Sequence, residues 1–375
     1  MLDFSFSPAQ QEYRKQLREL ALRELLPGYQ RNDDEERFPT KEIQRIVRFG
    51  EEFWHGREDE RDLISVGITA EEVARGDFNV VLPSLGSTYH SQFFADLTPE
   101  QERRWLPGLV SGEQVVGLAI TEPGAGSDMA KLSATGERRG DRWVLNGVKN
   151  SVSYLNGDVF YVFVRTDPEA TGWKGISGFL LDRDTPGLSF EKVDDLGCRA
   201  VPRGVMRFEN VEVGDDALVG PPGTAFIRIS KFFDVNRAVI GLKCVGAAQQ
   251  SIDETVKYAK ERIVFGAPLG AHQAASFALA EAETWLELAR WQCYRVLWMR
   301  QHDIPCQREG AMAKWWAPKV SADVIHKCLL LHGHRGYSRE LPLEQRLRDV
   351  IGWQIGDGSE EVMKLIVVRS LFGGE

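Results

Sequence analysis

The most informative segment of the chain is Leu118-Ala119-Ile120-Thr121-Glu122-Pro123-Gly124-Ala125-Gly126-Ser127-Asp128, an apolar strand that breaks into a loop of glycine, proline and serine. Glycine lets a loop backbone come close to a ligand, because it has no Cβ and adopts positive φ freely. The hydroxyl groups of Thr121 and Ser127 could then bind that ligand. Turn chemistry explains the same two residues equally well, so the loop needs support from elsewhere in the chain.

A second segment lies near the C-terminus, where Ile355-Gly356-Asp357-Gly358-Ser359 precedes the amphipathic run 362–369. One acidic side chain stands between two glycines, and Ser359 is placed to cap the following helix, whose first N–H groups are free. Asp357 is therefore a candidate base in a turn that a ligand can approach. An acidic residue before a helix is more often a cap, and that alternative stands for this segment taken alone.

A third segment, 258–273, combines a cation with an aromatic residue. Arg262 can pair bidentately with a phosphate. Phe265 is predicted to share the helix face of Arg262, because residues three apart are neighbours on a helix, and this pair suits a diphosphate next to an adenine. The alternative for Arg262 is a surface ion pair with Glu261 or another neighbour.

Composition narrows the classes of function. The chain has 375 residues, a formal net charge of -9, 43% hydrophobic and 27% charged residues, which predicts a soluble globular protein of two or three packed units. It has no basic tail or stripe, so we expect no nucleic-acid partner. No apolar run approaches the roughly 20 residues of a membrane span. The first residues lack the layout of a signal peptide, so we expect a cytoplasmic protein with no membrane partner.

The cysteines and histidines give no metal or disulfide signal. Five cysteines are scattered without a C-x-x-C pair, which disfavours a disulfide framework and predicts buried thiols. His332 and His334 bracket Gly333, but no third ligand is clustered with them. No metal site is therefore predicted.

The first third of the chain has a helical pattern. Residues 7–10 have the form of a capping box with proline at the first helical position, and this helix is predicted to stop at Pro27-Gly28. Another helix is predicted near 64–74, and the charged run 51–60 is interpreted as a loop or a short helix. The pattern then changes twice, which predicts a helical domain over 1–114, a β-domain over 115–222 and a helical domain over 223–375.

In the middle third, short β-rich runs alternate with turn signals, which predicts a small antiparallel barrel or sandwich. The predicted strands are 115–120, 142–145, 159–166, 176–181, 188–193 and 204–208, with turns at Asn146-Gly147, Asn156-Gly157 and Pro186-Gly187. Long helices are predicted after them at 225–262, 272–301, 308–331 and 344–372, with a break at 356–358. Their wide apolar faces predict burial against one another and against a partner subunit.

Together, these segments resemble the acyl-CoA dehydrogenase family. Residues 121–128 are similar to its T-E-P-x-A-G-S-D loop, and 356–359 take the place of its Y-E-G-T turn, which supplies the catalytic carboxylate. Residues 233–237 are similar to its F-D-x-x-R segment, which grips the coenzyme A end of the substrate. Residues 258–273 resemble Y-x-x-x-R-x-x-F-G-x-P-L-x-x-x-Q, and 146–149 resemble the N-G-x-K hairpin.

The resemblance implies an α+β fold with an all-α N-terminal domain, a central β-barrel or sandwich and a C-terminal four-helix bundle, assembled as a homotetramer that binds FAD partly across a subunit interface. The implied cofactor-binding residues are Leu118, Ile120, Thr121, Gly126, Ser127, Ser151, Ser153, Arg262, Phe265, Gln273, Leu330, His334, Ser359 and Glu361. The implied substrate-binding residues are Ser127, Phe233, Asp234, Asn236, Arg237, Gly356, Asp357 and Gly358.

Some positions depart from the family's pattern. Ser151 stands where an aromatic residue usually touches the flavin ring, two residues before Ser153, and Tyr154 is the nearest aromatic. Leu330 and His334 replace a glutamine and a glycine that approach the neighbouring subunit's flavin. The N-terminal domain also lacks a recognisable P-E-E-Y-G-G loop, which predicts an altered acyl pocket.

The resemblance implies that Asp357 is the catalytic base. A subset of the family, including enzymes for cyclohexane-carboxyl-CoA, has aspartate here, as do the related nitroalkane oxidases. The family's second position for the base is Asn236 in this chain, and an amide cannot take up the proton. The expected activity is FAD-dependent dehydrogenation of an acyl-CoA, with an α-branched or alicyclic acyl group suited to the short aspartate and an electron-transferring flavoprotein as the electron acceptor.

Two alternatives stay open at this point. A flavin-dependent oxidase or monooxygenase could use the same scaffold, although the match of Phe233, Asp234 and Arg237 favours a coenzyme A ester. A non-catalytic acyl-CoA-binding protein is the other alternative, because the aromatic residue expected at Ser151 is absent.

Overall fold

The computed structural model of the chain describes residues 5–57 and 60–373. The N-terminal part is helical, as predicted. Its helices are α1 Pro8–Leu20, α2 Tyr29–Asp34, α3 Thr40–Trp54, α4 Leu63–Gly76, α5 Gly86–Phe93 and α6 Pro99–Ser111.

Helix α1 begins as the sequence predicts. The Ser7 side chain accepts from the Gln10 N–H and the Gln10 side chain accepts from the Ser7 N–H, with proline at the first helical position. The expected stop at Pro27-Gly28 is wrong. A π-helical turn, Ala21–Leu25, and a 3-10 turn, Leu26–Gly28, lead into α2. Pro27 is tolerated because it lies in the first turn of that short helix, where its missing N–H is not needed.

The charged run 51–60 is partly helical. Residues 51–54 form the last turn of α3, with Glu51 and Glu52 exposed and Trp54 buried. Residues 58–59 of this run lie outside the described part of the chain.

The middle of the chain forms a β-sheet. Its strands are β1 Val116–Ala119, β2 Thr135–Arg139, β3 Arg142–Ser153, β4 Val159–Arg165, β5 Ile176–Asp182, β6 Leu188–Val193, β7 Arg203–Val213 and β8 Leu218–Val219. The spatial order is β6-β7-β3-β2-β4-β5-β8, and β1 pairs in parallel with β4. Large apolar side chains of this sheet form a second core, including Trp143, Phe160, Phe179 and Met206.

The turn predicted at Asn146-Gly147 is wrong. Both residues lie inside β3, and the β2–β3 hairpin turns at residues 140–141. The register of β3 against β7 shifts between Leu145 and Gly147, where Gly147 has a φ of 145° and a Cβ would meet Ala134 at 2.5 Å. An Asn-Gly pair supplies positive φ at a strand irregularity as well as at a turn, so the local signal did not separate the two.

The C-terminal part is a bundle of long helices. The elements are α7 Ala225–Glu261, β9 Ile263–Val264, β10 Ala267–Pro268, α8 Gln273–Gln301, α9 Gln307–Leu331, α10 His334–Tyr337, α11 Leu343–Ile351 and α12 Glu360–Leu371. Helix α4 packs on α7 and α8, so the N-terminal helices share one core with the bundle. The predicted break at 356–358 is longer in the structure and runs from Gly352 to Ser359.

The domain boundaries at 114/115 and 222/223 stay predictions, and each falls in a connection between elements. Within the described residues, no helix has both the length and the apolar character needed to cross a membrane.

Candidate active site

The Asp357 turn connects the 3-10 turn Gly352–Gln354 to helix α12. Asp357 has a φ of 54° and Gly358 a φ of 103°. Aspartate enters this left-handed region more readily than most residues with a Cβ. Ser359 caps α12, because its Oγ accepts from the Val362 N–H at 3.4 Å. Ser359, and not Asp357, therefore caps α12, and the side chain of Asp357 is exposed.

The Asp357 carboxylate is linked to two other parts of the chain. Asn236 Nδ2, from α7, donates to Asp357 Oδ2 at 3.0 Å. Tyr89, from α5, donates its hydroxyl hydrogen to Asn236 Oδ1 at 2.7 Å. Tyr89 and Asn236 are both buried, so this chain of bonds enters the site from the core.

Lys314, on α9, fastens both ends of the turn. Its Nζ donates to the Trp353 carbonyl at 2.8 Å and to the Gly358 carbonyl at 2.7 Å. Burial lowers the pKa of Lys314 to about 8, although the charge of Asp357 opposes that shift. We refer to Tyr89, Asn236, Lys314 and Asp357 as the Asp357 cluster.

Two aromatic residues, Tyr154 and Trp353, lie near this cluster. Tyr154, at the end of β3, has its pKa raised by burial, with further contributions from Cys198 and Asp357. Trp353 precedes the turn, and its ring lies 4.2 Å from Lys243 Nζ, which is 3.9 Å from the ring of Phe78. The end of β3 therefore lies close to the candidate base.

The F-D-x-x-R segment lies on the same helix as Asn236. Arg237 pairs with Asp234 at 3.0 Å. Burial raises the pKa of Asp234 and lowers the pKa of Arg237, and the attraction between the two charges opposes both shifts. Arg237 Nε is buried and has no hydrogen-bond partner among the described residues. Phe233 is half-buried beside them. A buried donor without a partner is unusual in a folded protein and needs an explanation.

The loop after β1 is held by a buried acid. Glu122 accepts from Lys149 Nζ at 2.7 Å, from the Ser133 N–H at 2.7 Å and from the Ala134 N–H at 3.0 Å. Burial lowers the pKa of Lys149 to about 8, and Glu122 works against that shift. Glu122 therefore fixes the shape of the loop, a role that the sequence alone did not reveal.

The loop positions the predicted cofactor residues of the β-domain. The Thr121 carbonyl accepts from the Asn150 N–H at 2.7 Å, which brings Thr121 next to the end of β3 and Ser151. Ser151 is exposed, with a φ of 57°. The remaining predicted residues here grade from core to surface: Ile120 is buried, Leu118 and Ser153 are half-buried, and Gly126 and Ser127 are exposed.

A separate group of predicted residues lies at one end of the bundle. Arg262 directly follows the last residue of α7, and Phe265 lies beyond it between β9 and β10, so the predicted shared helix face is wrong. The helix stops at Glu261, and Phe265 turns outward with a φ of 50° and 97% of its surface exposed. Arg262 and Gln273 are also exposed. Arg262 forms no ion pair with any described residue, so the alternative of a pair with Glu261 is not realised.

The end of α9 lies beside this group. His332 stacks on Tyr258, with ring centroids 4.4 Å apart, which joins the last turns of α7 and α9. Leu330 is 62% exposed and His334 is also exposed. We refer to Arg262, Phe265, Leu330 and His334 as the bundle-end face. Glu361, the last predicted cofactor residue, is exposed in the first turn of α12.

Sequence reasoning missed Tyr89 and Lys314. Lys314 has a weak signal in the sequence, since it stands between two apolar residues, Ala313 and Trp315, in the predicted helix 308–331. Tyr89 has no such signal. Its partner lies 147 positions away, and only the packing of α5 on α7 brings them together.

The chain matches three family models along almost its whole length. They are the acyl-CoA dehydrogenase N-terminal domain over 7–113, the middle domain over 117–211 and the C-terminal domain over 226–372. The chain therefore belongs to the acyl-CoA dehydrogenase family, FAD-dependent oxidoreductases that act on CH–CH bonds.

Individual relatives agree with this assignment. The chain is 32% identical to the mitochondrial short-chain specific acyl-CoA dehydrogenase of Bos taurus, over 96% of this chain and 89% of the relative. It is 30% identical to a 3-(aryl)acrylate reductase of Clostridium sporogenes, over 98% of this chain and 99% of the relative. The solved structure of butyryl-CoA dehydrogenase from Megasphaera elsdenii superposes with a TM-score of 0.92 at 27% identity, covering 99% of this chain and all of that one.

Proposed function

We propose that this protein is an FAD-dependent dehydrogenase that introduces an α,β double bond into an acyl-CoA thioester, with Asp357 as the base. The observation that carries the proposal is the arrangement at Asp357. Its Oδ2 is held by Asn236, and its Oδ1 accepts no hydrogen bond from the described residues. One oxygen of the carboxylate is thus oriented and the other is open to a proton.

Asp357 would remove the α-proton of the substrate. A general base must come within hydrogen-bond reach of the proton that it takes, and the exposed turn permits that approach. The Asp357 backbone N–H would donate to the thioester carbonyl and so stabilise the negative charge that develops there. Gly356 and Gly358 keep this part of the backbone uncovered, because neither has a side chain.

The coenzyme A end of the substrate would lie along α7. The unpartnered Nε of Arg237 and the Asp234–Arg237 ion pair supply both donors and acceptors one helical turn or less from Asn236. Phe233 adds an apolar surface for the chain of the coenzyme. Ser127, exposed on its loop, would contact the same ligand from the β-domain.

The chemistry of the side chains fits FAD. Arg262 offers an unpaired guanidinium suited to a diphosphate, and Phe265 offers an uncovered ring suited to an adenine. Thr121 and Ser151 adjoin each other at the end of the β-sheet, on the side of Tyr154 and Asp357. When bound, FAD supplies the acceptor for the hydride that leaves the β-carbon.

The proposal includes a homotetramer in which the bundle-end face contacts FAD of a neighbouring subunit. Phe265 and Leu330 are large apolar side chains that are mostly exposed in the single chain. An exposed apolar patch of this kind is typical of a surface that binds a ligand or another protein chain. Gln273, Ser359 and Glu361 would complete the flavin contacts, as the family resemblance implies.

The proposed substrate class is an α-branched or alicyclic acyl-CoA. Aspartate is one methylene shorter than glutamate, so its carboxylate lies roughly 1.5 Å further back, and misplacement of about 1 Å can cost on the order of a hundredfold in rate. A substrate that is bulky at the α-carbon would occupy that extra space. The relatives named for short-chain and butyryl substrates supply the competing class.

The proposed electron acceptor is an electron-transferring flavoprotein.

Reduction of an enoyl substrate, the reverse reaction, is a second candidate function, favoured by the relative that is named a 3-(aryl)acrylate reductase. Slow reoxidation in air with product bound and fast reoxidation by the flavoprotein would support the dehydrogenase, whereas stoichiometric hydrogen peroxide at the full turnover rate would support an oxidase.

The test is anaerobic mixing of the purified yellow protein with a panel of acyl-CoAs, followed by the flavin absorbance. We expect cyclohexane-carboxyl-CoA to bleach the flavin faster than butyryl-CoA or octanoyl-CoA. The reductive direction is measured in the same cell by adding enoyl-CoA or 3-phenylacrylate to the photoreduced protein. A protein that neither contains nor takes up FAD, or that no ester bleaches, would refute the proposal.

A further inference from the structure

Tyr89, Asn236 and Asp357 form a hydrogen-bonded line that begins in the core and ends at the open turn. The line takes one residue each from α5, from α7 and from the turn before α12. Tyr89 and Asn236 are 7% and 4% exposed, so water competes little for the bond between them.

The chemistry of the three groups fixes the direction of every bond. An ionised carboxylate only accepts, so the amide must present Nδ2 to Asp357. Its Oδ1 then faces Tyr89, which must donate. Burial raises the pKa of Tyr89 well above its ordinary value, with Asp357 contributing further, so the hydroxyl keeps the hydrogen that it donates.

We propose that Asn236 and Tyr89 are positioning residues for the base: Asn236 holds Oδ2 of Asp357, and Tyr89 locks the Asn236 amide in the orientation that donates. This inference rests on the proposed role of Asp357. Asn236 cannot itself serve as a base, but it orients the carboxylate of Asp357. The other oxygen, Oδ1, is left free to accept the α-proton.

Other charged and titratable groups also face Asp357. Lys314 approaches from α9, Arg237 from α7 and Tyr154 from the end of β3. None of these is altered by substitution at Tyr89 or Asn236. A change in the pH dependence of those variants therefore reports the hydrogen-bonded line, with the surrounding charges held constant.

The variants are Asn236→Leu, Tyr89→Phe, the double variant and Asn236→Asp. The matched control is Tyr161→Phe, which removes a hydroxyl from a buried tyrosine that contacts Phe93 in the same aromatic group as Tyr89. The purified holoproteins are reduced anaerobically with the best acyl-CoA over a range of pH. The flavin-reduction rate and the dissociation constant of the ester are measured in each case.

A hydrogen bond to an ionised group favours that form, so its loss favours the protonated base. Asn236→Leu is expected to move the midpoint of the rate–pH profile up and to lower the reduction rate about tenfold, a larger loss than any in the affinity for the ester. Tyr89→Phe should shift the midpoint less, in the same direction. The double variant should match Asn236→Leu, because Tyr89 acts only through Asn236.

Asn236→Asp tests the same hydrogen-bonded line with a stronger electrostatic change. Two neighbouring carboxylates cannot both ionise easily, so its midpoint should rise further than that of Asn236→Leu. Tyr161→Phe should keep the parent profile. The parent midpoint in Asn236→Leu, or losses that add in the double variant, would overturn this inference. Should Asp357→Asn reduce its flavin at the parent rate, the proposed role of Asp357 as the base fails, and that failure is distinguished from a failure of the positioning inference.

Discussion

The Asp357 cluster and the bundle-end face are opposite kinds of site within one chain. In the cluster, Asn236 holds one carboxylate oxygen of Asp357, and Lys314 bonds both ends of the turn. On the bundle-end face, Arg262 has no ion-pair partner among the described residues and Phe265 has almost no cover.

This contrast indicates which part of the proposed chemistry a single chain organises by itself. Positioning of a proton-transfer group requires preorganised neighbours, and these are complete within the described part of the chain. For the proposed binding of a diphosphate and an adenine, the single chain presents the guanidinium of Arg262 and the ring of Phe265 on its surface. Substitutions in the cluster should therefore affect rates, and those on the face should affect cofactor occupancy.

The largest effect is expected for Asp357→Asn. Asparagine keeps the shape and also tolerates positive φ, but it cannot take up a proton. We expect FAD and ester to bind as in the parent, with flavin reduction slowed at least about a hundredfold, the usual scale for a general base. Stopped-flow absorbance measures both quantities. Reduction at the parent rate would transfer the search to Glu360 or Glu361 in the next helical turn.

Arg262→Ala should weaken FAD binding about tenfold or more, because charge-assisted bonds to a phosphate would be lost. Titration of the apoprotein with FAD measures this affinity, and sedimentation measures the assembly in parallel. Arg142→Ala, a change of the same type at an exposed site at the start of β3, is the control. Equal FAD affinity in both variants would contradict the role given to the bundle-end face.

Lys314→Met should lower the flavin-reduction rate about tenfold, since the turn that carries Asp357 would lose its fastening. Two carbonyls would also lose their donor, which reduces the free energy of unfolding by about 1–3 kcal/mol. Lys319→Met, on the same helix, removes a lysine that is 41% exposed and paired with Asp323, and should change little. Identical rates for both variants would separate Lys314 from catalysis.

The smallest effect concerns pH and the same lysine. The pKa of Lys314 falls on folding from 10.5 to about 8 because of burial. Between these pH values the unfolded chain binds more protons than the folded one, so this group makes the free energy of unfolding rise with pH. The stability of the parent relative to Lys314→Met should therefore increase between about pH 8 and 10.5. Chemical denaturation at several pH values measures the difference, and a decrease would contradict the sign.

Local patterns in the sequence were sufficient for several features. The capping box at Ser7, the glycine-flanked turn at Asp357 and the long helices of the bundle were predicted and are present in the structure. These features depend on residues a few positions apart, because caps, turns and helix faces are short-range. The sequence also predicted the family, through motifs spread along the chain, which the comparisons confirm.

Two kinds of feature depend on the tertiary structure: local patterns that fit more than one conformation, and contacts between residues far apart in the chain. The Asn146-Gly147 pair is typical of a turn, but in the structure it lies at a register shift inside β3, because β7 and Ala134 pack against it. The partners of Asp357 come from residues 43 to 268 positions away in the chain, among them Lys314 and, through Asn236, Tyr89. The sequence alone predicted Asp357 as the candidate base and the glycine-flanked turn in which it lies. The packing of α5, α7 and α9 around that turn determines which carboxylate oxygen of Asp357 accepts a hydrogen bond. Hydrogen bonds between distant residues exist only once the core that joins them has formed.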